Sequence, residues 1–292
     1  FWMRVYEVPE GAKNTKGRAI QNMISIESDD KVLAYINVPD LKDEEFVKSH
    51  NIVMCTEKGI IKKTSLEAYS RPRSNGIIAI NIREDDKLLE ARLTDGDSHI
   101  MMALKSGKTI HFPESKVRPV GRNSMGVRGI TLGSENDRVV GMITVVNEEE
   151  TVLVVSEKGY GKRSAVSDYR ITNRGGKGVK TLNITDKTGE LIALKIVSDD
   201  NDLMIINRSG ITIRMACKDL RVMGRATQGV RLINLKGNDS IASVAKVDSE
   251  EVDEENGEVI DGENVEMTNE DGAPQDSAGT DVENAADDAS EE

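Results

Sequence analysis

The sequence predicts an all-β repeat protein built from propeller-type blades, and a fixed period of glycines is the main reason. A glycine between two short strand-like runs recurs with steps of 48, 52 and 51 residues, at Gly59, Gly107, Gly159 and Gly210. A second glycine follows each of these, at Gly76, Gly126, Gly178 and Gly229. An earlier copy shows its second glycine at Gly17. A period of about 50 residues indicates an array of one supersecondary unit, present here in five copies.

The third copy shows the unit most clearly. Residues 100–104 are almost fully apolar, which is typical of a strand buried on both faces. Gly107 supplies the turn of a hairpin, and 109–112 returns as the second strand. After a loop, 126–132 is predicted as the third strand and 138–145 as the fourth. Four strands in a unit of this length form the blade of a propeller-type fold.

The other copies follow the same template. Their predicted first strands are 52–56, 152–155 and 203–206, and their predicted fourth strands are 32–38, 87–93, 191–197 and 241–247. Short strands between turn signals, without a helical apolar stripe, favour an all-β fold. The chain begins in the middle of a strand pattern, so five copies predict a six-bladed parent that has lost its first blade. The constant period disfavours the alternative, a pair of β-sandwiches.

The net charge of −12 conceals two segments of opposite charge. Residues 248–292 contain 19 acidic and no basic residues, which leaves 32 acidic and 39 basic residues, a net charge of +7, in residues 1–247. We therefore predict a folded domain over 1–247 and an acidic tail over 248–292. The tail lacks the apolar residues needed to offset the entropy of ordering, and we predict that it is disordered. It either competes for the basic surface of the domain or acts as a solubilising segment.

The basic residues recur at equivalent positions of the copies. Four residues after the hairpin glycine stand Lys63, His111, Arg163 and Arg214, and eleven residues after it stand Arg118, Arg170 and Arg221. Around the second glycine stand Arg71, Arg73, Arg122, Arg128, Arg174, Lys177, Lys180, Arg225 and Arg231. A single arginine is usually a solvated surface residue, but equivalent positions of a closed array lie on one rim. The sequence therefore predicts a positive rim that contacts the phosphates of a curving DNA duplex.

Several other functions are disfavoured by the residues present. The nine Phe, Trp and Tyr residues do not line the basic loops, which disfavours binding of single strands by stacking. The loop at 173–178 resembles a phosphate-binding glycine loop but lacks the spacing and the Ser or Thr of a nucleotide P-loop. The three His and two Cys residues lack the spacing of a zinc site. We predict no catalytic centre, no metal site and no cofactor in this segment.

Several motifs resemble a known family. The run EKGYGKR at 157–163, the loop NRGGKG at 173–178, GRNSMGVRG at 121–129 and GRATQGVRLI at 224–233 are similar to the C-terminal domain of bacterial DNA gyrase A. The resemblance covers essentially all of residues 1–247. It implies a six-bladed β-pinwheel that wraps duplex DNA around its rim, followed by an acidic tail.

The resemblance also implies residue roles and partners. The family's signature box is a QRRGGKG loop in the first blade, and the loop at 173–178 is similar to it, although Thr172 and Asn173 stand in place of Gln and Arg. A DNA-contacting role is expected for Arg174, Gly175, Gly176, Lys177 and Gly178. The implied parent is a type II topoisomerase that supercoils DNA negatively, with ATP and Mg²⁺ acting outside this segment. Its implied partner is gyrase B, in a cytoplasmic, nucleoid-associated heterotetramer with two copies of each protein.

Two alternative functions stay open. The first is the corresponding domain of topoisomerase IV, a decatenating enzyme whose blades are usually fewer or more degenerate. The second is a propeller that binds protein partners, which would present exposed aromatic or apolar side chains instead of repeated Arg and Lys.

Overall fold

The computed structural model describes residues 1–12, 15–27, 30–147, 149–237 and 239–249, and most of its regular structure is β-strand. The strands are β1 (Asn51–Thr56), β2 (Ile60–Ser65), β3 (Leu88–Thr94), β4 (His99–Leu104), β5 (Lys108–Pro113), β6 (Val127–Arg128), β7 (Val139–Val145), β8 (Thr151–Ser156), β9 (Tyr160–Ala165), β10 (Val179–Lys180), β11 (Leu191–Val197), β12 (Asn201–Asn207), β13 (Thr212–Ala216), β14 (Val230–Arg231) and β15 (Ile241–Asp248). One short helix, α1 (Glu44–Ser49), precedes β1, and 3-10 helices span Val5–Glu7, Ile20–Asn22, Leu66–Tyr69, Glu114–Lys116, Val166–Asp168 and Cys217–Asp219. None of the helices in these ranges has the length and apolar character needed to cross a membrane. Beyond Ser249, the predicted acidic tail lies outside the described residues.

Each four-stranded sheet contains a two-residue strand that comes from a later copy of the repeat. The strand orders are β3-β1-β2-β6, β10-β5-β4-β7, β11-β8-β9-β14 and β13-β12-β15. Strand β6 follows β4 and β5 in the sequence, yet it pairs with β2 of the preceding copy. Strands β10 and β14 make the same exchange onto β5 and β9. The prediction of four strands per blade is confirmed for three sheets, whereas the assignment of the third strand to its own blade is wrong.

The exchange is fixed by a backbone hydrogen bond at three of the four hairpin glycines. The amides of Gly129, Thr181 and Leu232 each donate to a hairpin glycine of the preceding copy over 2.8 Å, and the accepting carbonyls belong to Gly59, Gly107 and Gly159. In every case the donor stands three residues after the second glycine of its own copy. The two glycine series of the sequence therefore mark the two sides of one junction between consecutive copies.

The core lies between consecutive sheets, and strand β4 shows how it is filled. Ile100, Met102 and Leu104 pack in one cluster with residues of β1 and β2, whereas Met101 and Ala103 pack in another with residues of β8. Successive side chains of a strand point to opposite faces of the sheet. An apolar first strand therefore supplies the core on both of its sides, as the continuous apolar run predicted.

The predicted strand at 32–38 is wrong. Of the residues that the structure describes between 1 and 42, none lies in a β-strand. In the later copies, the corresponding strand pairs with the first strand of its own hairpin, as Leu88–Thr94 pairs with Asn51–Thr56. Residues 32–38 have no such ladder partner among the residues that the structure describes. Ile36 and Val38 nevertheless pack against the cluster that contains Ile52 and Leu66.

The close approach at the junction predicts that substitution of one glycine of loop 121–126 destabilises the domain much more than substitution of another. Gly126 has a φ of +92°, and a Cβ there would lie 2.5 Å from the carbonyl oxygen of Ile61. Gly121 has ordinary φ and open space around a Cβ. We expect Gly126→Ala to lower the free energy of unfolding by about 1–3 kcal/mol, because it adds left-handed strain and a backbone clash. Urea unfolding measures this, and the Gly121→Ala control should stay within about 0.5 kcal/mol of the parent. Equal losses in the two variants would contradict the tight junction.

Candidate nucleic-acid interface

Three of the predicted site residues occupy the same place on the outer strands of three sheets. Arg128, Lys180 and Arg231 are the second residues of β6, β10 and β14. All three are exposed. Their pairing partners are the first residues of β2, β5 and β9 in the preceding copies. The strand exchange thus sets one basic side chain at the outer edge of each of these sheets.

Three further predicted arginines lie in the loops that lead into these strands. Arg122, Arg174 and Arg225 each stand four residues before the second glycine and are half-buried. The Nη1 of Arg174 donates to the carbonyl of Arg128 over 3.1 Å, and the Nη1 of Arg225 donates to the carbonyl of Lys180 over 2.9 Å. A loop arginine of one copy is therefore bound to the outer strand of the preceding copy.

These contacts join the basic residues of three copies into one line. Along this line, loop arginines alternate with outer-strand residues, and neighbouring copies are joined by the two arginine–carbonyl bonds. We call this line the basic belt, and its members are Arg122, Arg128, Arg174, Lys180, Arg225 and Arg231. Each of the three copies contributes one loop arginine and one outer-strand cation to the belt.

A tyrosine supports the end of the basic belt. The Nη2 and Nε of Arg231 donate to the hydroxyl of Tyr160 over 2.9 and 3.3 Å. The ammonium of Lys187 lies 5.4 Å from the centre of the same ring, where a cation–π attraction operates. The hydrogen bond from Arg231 lowers the pKa of the Tyr160 hydroxyl. Lys187 was not among the predicted site residues, and its position beside the ring is visible only in the fold.

Part of the backbone of the loop at 173–178 is engaged in contacts within the protein. The Gly175 amide donates to the carbonyl of Gly129 over 2.6 Å, so it is committed to the neighbouring copy. Gly178 has a φ of +71°, and a Cβ there would lie 2.7 Å from the carbonyl oxygen of Thr109. These two glycines have clear packing roles at the junction. The glycine and the cation that the loop exposes are Gly176 and Lys177.

Three predicted residues lie outside the belt on exposed loops. Arg71 and Arg73 are exposed in the loop that precedes Gly76, and Arg170 is exposed after the 3-10 helix Val166–Asp168. The copy that contains Arg71 and Arg73 has Ile78 where the later copies have Arg128, Lys180 and Arg231. The outer-edge cation is therefore a property of the last three copies.

Arg163 requires a correction. Its spacing grouped it with the DNA-contacting residues, but its exposed fraction is 4 % and its guanidinium points into the protein. Its Nε donates to Thr151 Oγ1 over 2.8 Å, and its Nη1 donates to the carbonyl of Cys217 over 2.7 Å. The same Nη1 lies 2.7 Å from a carboxylate oxygen of Asp199. Arg163 is a structural residue that binds one copy to the 3-10 helix of the next.

The equivalent residues of two other copies have the same interior role. Lys63 lies 3.4 Å from the carboxylate of Glu114, and both side chains are almost fully buried. His111 Nδ1 lies 2.8 Å from the carbonyl oxygen of Tyr169. Each of these side chains reaches the 3-10 helix region of the following copy. The recurrence of basic residues four positions after the hairpin glycine therefore reflects a link between copies.

Two buried lysines were not predicted from the sequence. Lys62 and Lys162 have exposed fractions of 1 % and 0 % and stand three residues after their hairpin glycines. Their ammonium groups donate to the loops that carry Arg122 and Arg225. The pKa of both ammonium groups is lowered to about 8, chiefly by burial, and the nearby guanidinium of Arg122 or Arg225 accounts for a smaller part of the lowering. The sequence does contain a signal for their burial, because each lysine lies in a strand whose hairpin partner is an apolar strand.

The repeated antiparallel sheets, linked by exchanged outer strands, define a β-propeller repeat protein. The family model described as the DNA gyrase C-terminal domain, beta-propeller, matches residues 1–39, 50–95, 99–145, 150–198 and 201–248. These five segments are the five predicted copies, and the chain belongs to this family.

Individual relatives agree with the family. The chain is 44 % identical over 257 residues to the DNA gyrase A protein of Staphylococcus aureus strain MRSA252, and 43 % identical to that of strain NCTC 8325. The match covers 88 % of this chain, which spans 28 % of the length of these curated relatives. A solved DNA gyrase A C-terminal domain is 25 % identical with a TM-score of 0.69, covering 80 % of this chain and 75 % of its own. The C-terminal domain of a DNA topoisomerase IV, at 24 % identity and a TM-score of 0.75, covers 84 % and 74 % and shares the fold.

The difference in burial predicts that substitution of Arg163 destabilises the domain far more than substitution of Arg128. Arg163→Met should lower the free energy of unfolding by on the order of 2–4 kcal/mol, because it leaves the buried Cys217 carbonyl and Thr151 hydroxyl without their charged donor. Arg128→Met, a matched change at an exposed position, should alter it by less than about 0.5 kcal/mol. Urea unfolding of the two variants checks this. A loss confined to Arg128→Met would contradict the assignment of Arg163 to the interior.

Proposed function

We propose that this domain binds duplex DNA along the basic belt and bends it, mainly through contacts with phosphates. The observation that carries the proposal is the pair of hydrogen bonds from Arg174 to the Arg128 carbonyl and from Arg225 to the Lys180 carbonyl. These bonds make cations of three copies neighbours along one line. A polyanion with regularly spaced charges is the partner that fits such a line.

The chemistry of the belt favours phosphates over bases. Arginine and lysine side chains at a surface recognise phosphate oxygens through charge and hydrogen bonds. Stacking of unpaired bases requires exposed aromatic rings. Tyr160, which lies beside Arg231, is only 6 % exposed, and its ring is already covered by cations. The proposed ligand is therefore double-stranded and its sequence is of minor importance.

The energetics permit a bend. Each neutralised phosphate contributes about 0.9 to the magnitude of the slope of log affinity against log salt. At about 0.1 M salt, one contact therefore raises the affinity roughly eightfold relative to about 1 M salt. Six contacts would then give a slope of roughly −5. Bending 20–30 bp by 40–90° costs about 1–6 kcal/mol. A few belt contacts offset this cost at moderate salt.

The relatives suggest the protein in which this domain acts. We propose that it is the DNA-wrapping part of a DNA gyrase A protein, because the curated relatives at 43–44 % identity carry that name. In this proposal the whole enzyme is a type II topoisomerase of the cytoplasm, associated with the nucleoid and assembled with gyrase B. ATP and Mg²⁺ act in other parts of that enzyme, and this segment holds no cofactor. Topoisomerase IV is the alternative parent, supported only by likeness of fold.

The proposal predicts a specific loss of salt dependence. Replacing Arg128, Lys180 and Arg231 together by Gln should reduce the slope of log affinity against log salt by about three, because three phosphate contacts are lost. Fluorescence anisotropy with a duplex of about 150 bp, one persistence length, measures the slope between about 50 and 200 mM salt.

The control variant removes three positive charges from exposed positions outside the basic belt. Arg208, Lys236 and Lys246 are exposed and lie outside the basic belt. Their joint replacement by Gln should change the slope by less than about one, since long-range attraction alone is affected. Equal losses of slope in the two triple variants would contradict the basic belt as the binding surface.

A further inference from the structure

Two of the loops that carry belt arginines rest on a buried ammonium group. Lys162 Nζ donates to the carbonyl of Gly224 over 2.6 Å and to Thr227 Oγ1 at 3.1 Å. Lys62 Nζ donates to the carbonyls of Arg122 and Ala79, the latter over 2.6 Å. Each lysine extends from the second strand of one hairpin to a loop of the next copy, 60 or more residues away in the sequence.

The two supported loops adopt the same turn. In loop 121–126, the amide and the hydroxyl of Ser124 both donate to the carbonyl of Gly121, over 3.2 and 2.8 Å. In loop 224–229, Thr227 makes the same two bonds to Gly224, over 3.2 and 2.9 Å. In both loops the arginine stands directly after the first glycine. The ammonium group below therefore holds the turn from which the arginine projects.

The corresponding loop of the intervening copy rests on an apolar side chain instead of an ammonium group. At the position of Lys62 and Lys162, the intervening copy has Ile110, and the loop above it is 173–178. A Cβ on Gly176 would lie 3.5 Å from Ile110 Cδ1, so apolar packing lies under this loop. Here the additional cation is Lys177, which is exposed on the loop. Two of the loops are thus held by an internal charge, whereas the loop above Ile110 packs on an apolar side chain and carries a lysine on its surface.

We propose that Lys62 and Lys162 are positioning residues that fix Arg122 and Arg225 in the orientation needed to contact phosphates. The inference rests on the proposed DNA-binding function and adds to it residues that never touch DNA. The arrangement has a cost, because a buried ammonium group loses its hydration and lies near a second cation. The carbonyl and hydroxyl acceptors offset that cost only while the turn keeps its shape, so the charge and the turn stabilise each other.

The test is a double-mutant cycle on the full chain. Lys162→Ile introduces the residue that the neighbouring copy has at this position. The repeat therefore already accommodates isoleucine at this position in one copy. The cycle combines Lys162→Ile with Arg225→Ala, and affinity for a duplex of about 150 bp is measured across a salt series. Lys246→Ile is the matched control, because it removes one lysine charge from an exposed position outside the basic belt.

The expected result is a strong coupling between the two changes. Arg225→Ala and Lys162→Ile should each weaken binding by up to roughly eightfold at about 0.1 M salt and reduce the salt slope by about one. The double variant should bind as Arg225→Ala does, since a misplaced arginine and an absent one are equivalent. Lys246→Ile should leave the salt slope unchanged.

Two other results would overturn the inference. Additive losses, or a Lys162→Ile variant that binds like the parent while Arg225→Ala is weakened, would show that the buried lysine does not position the arginine. Absence of duplex binding by the parent itself would instead contradict the proposed function. If Lys162→Ile fails to unfold cooperatively, the cycle of Lys62→Ile with Arg122→Ala gives the same decision in another copy.

Discussion

The domain depends on a backbone hydrogen bond that a hairpin glycine accepts from the residue directly after the exchanged strand of the following copy. It recurs from Gly129 to Gly59, from Thr181 to Gly107 and from Leu232 to Gly159, always over 2.8 Å. Each bond places a two-residue strand at the outer edge of the preceding sheet. Consecutive copies, which already share the chain and pack through their cores, are thereby also linked through the edges of their sheets. An outer edge that would otherwise expose unpaired backbone groups is covered by the next copy.

The same constraint separates the basic residues into two sets with different physics. On the exchanged strands, Arg128, Lys180 and Arg231 are exposed and hydrated, and they cost the fold little. Behind the strands, Lys63, Lys162 and Arg163 are buried and must be satisfied by carbonyls, hydroxyls or a carboxylate. The buried set holds the copies together, and the exposed set is available for a polyanion. Both sets arise from one repeat, which explains why they share its period.

The sequence predicted what depends on period and local pattern. The hairpins were placed within one or two residues, because a buried first strand has to be apolar on both faces, as Ile100–Leu104 shows. The destination of the third strand could not be predicted, because two residues such as Val127 and Arg128 carry no strand periodicity. The pairing is decided by the hairpin glycine of another copy, and Gly126 marks that a close approach occurs without showing which copy is approached.

The candidate site was predictable to a similar degree. The recurrence of Arg122, Arg174 and Arg225 identified the loops, whereas the contact of Arg174 with the Arg128 carbonyl required the exchanged strand. Arg163 was misplaced because a basic residue in a strand is usually at the surface, and its spacing matched that of the exposed residues. One signal for its burial lies in the pairing, since Arg163 stands opposite the fully buried Leu153. Such pairings are visible only once the hairpin register is known.

If the basic belt bends DNA, the two ends of a bound duplex approach each other. A duplex of about 25 bp is about 85 Å long and well below the persistence length, so the free molecule is nearly straight and its ends lie within the range of energy transfer. Energy transfer between dyes at its two ends should rise when the domain binds. The rise should be lost when Arg128, Lys180 and Arg231 are replaced by Gln. Binding of the duplex with unchanged energy transfer would show that the domain holds straight DNA and that the basic belt does not bend it.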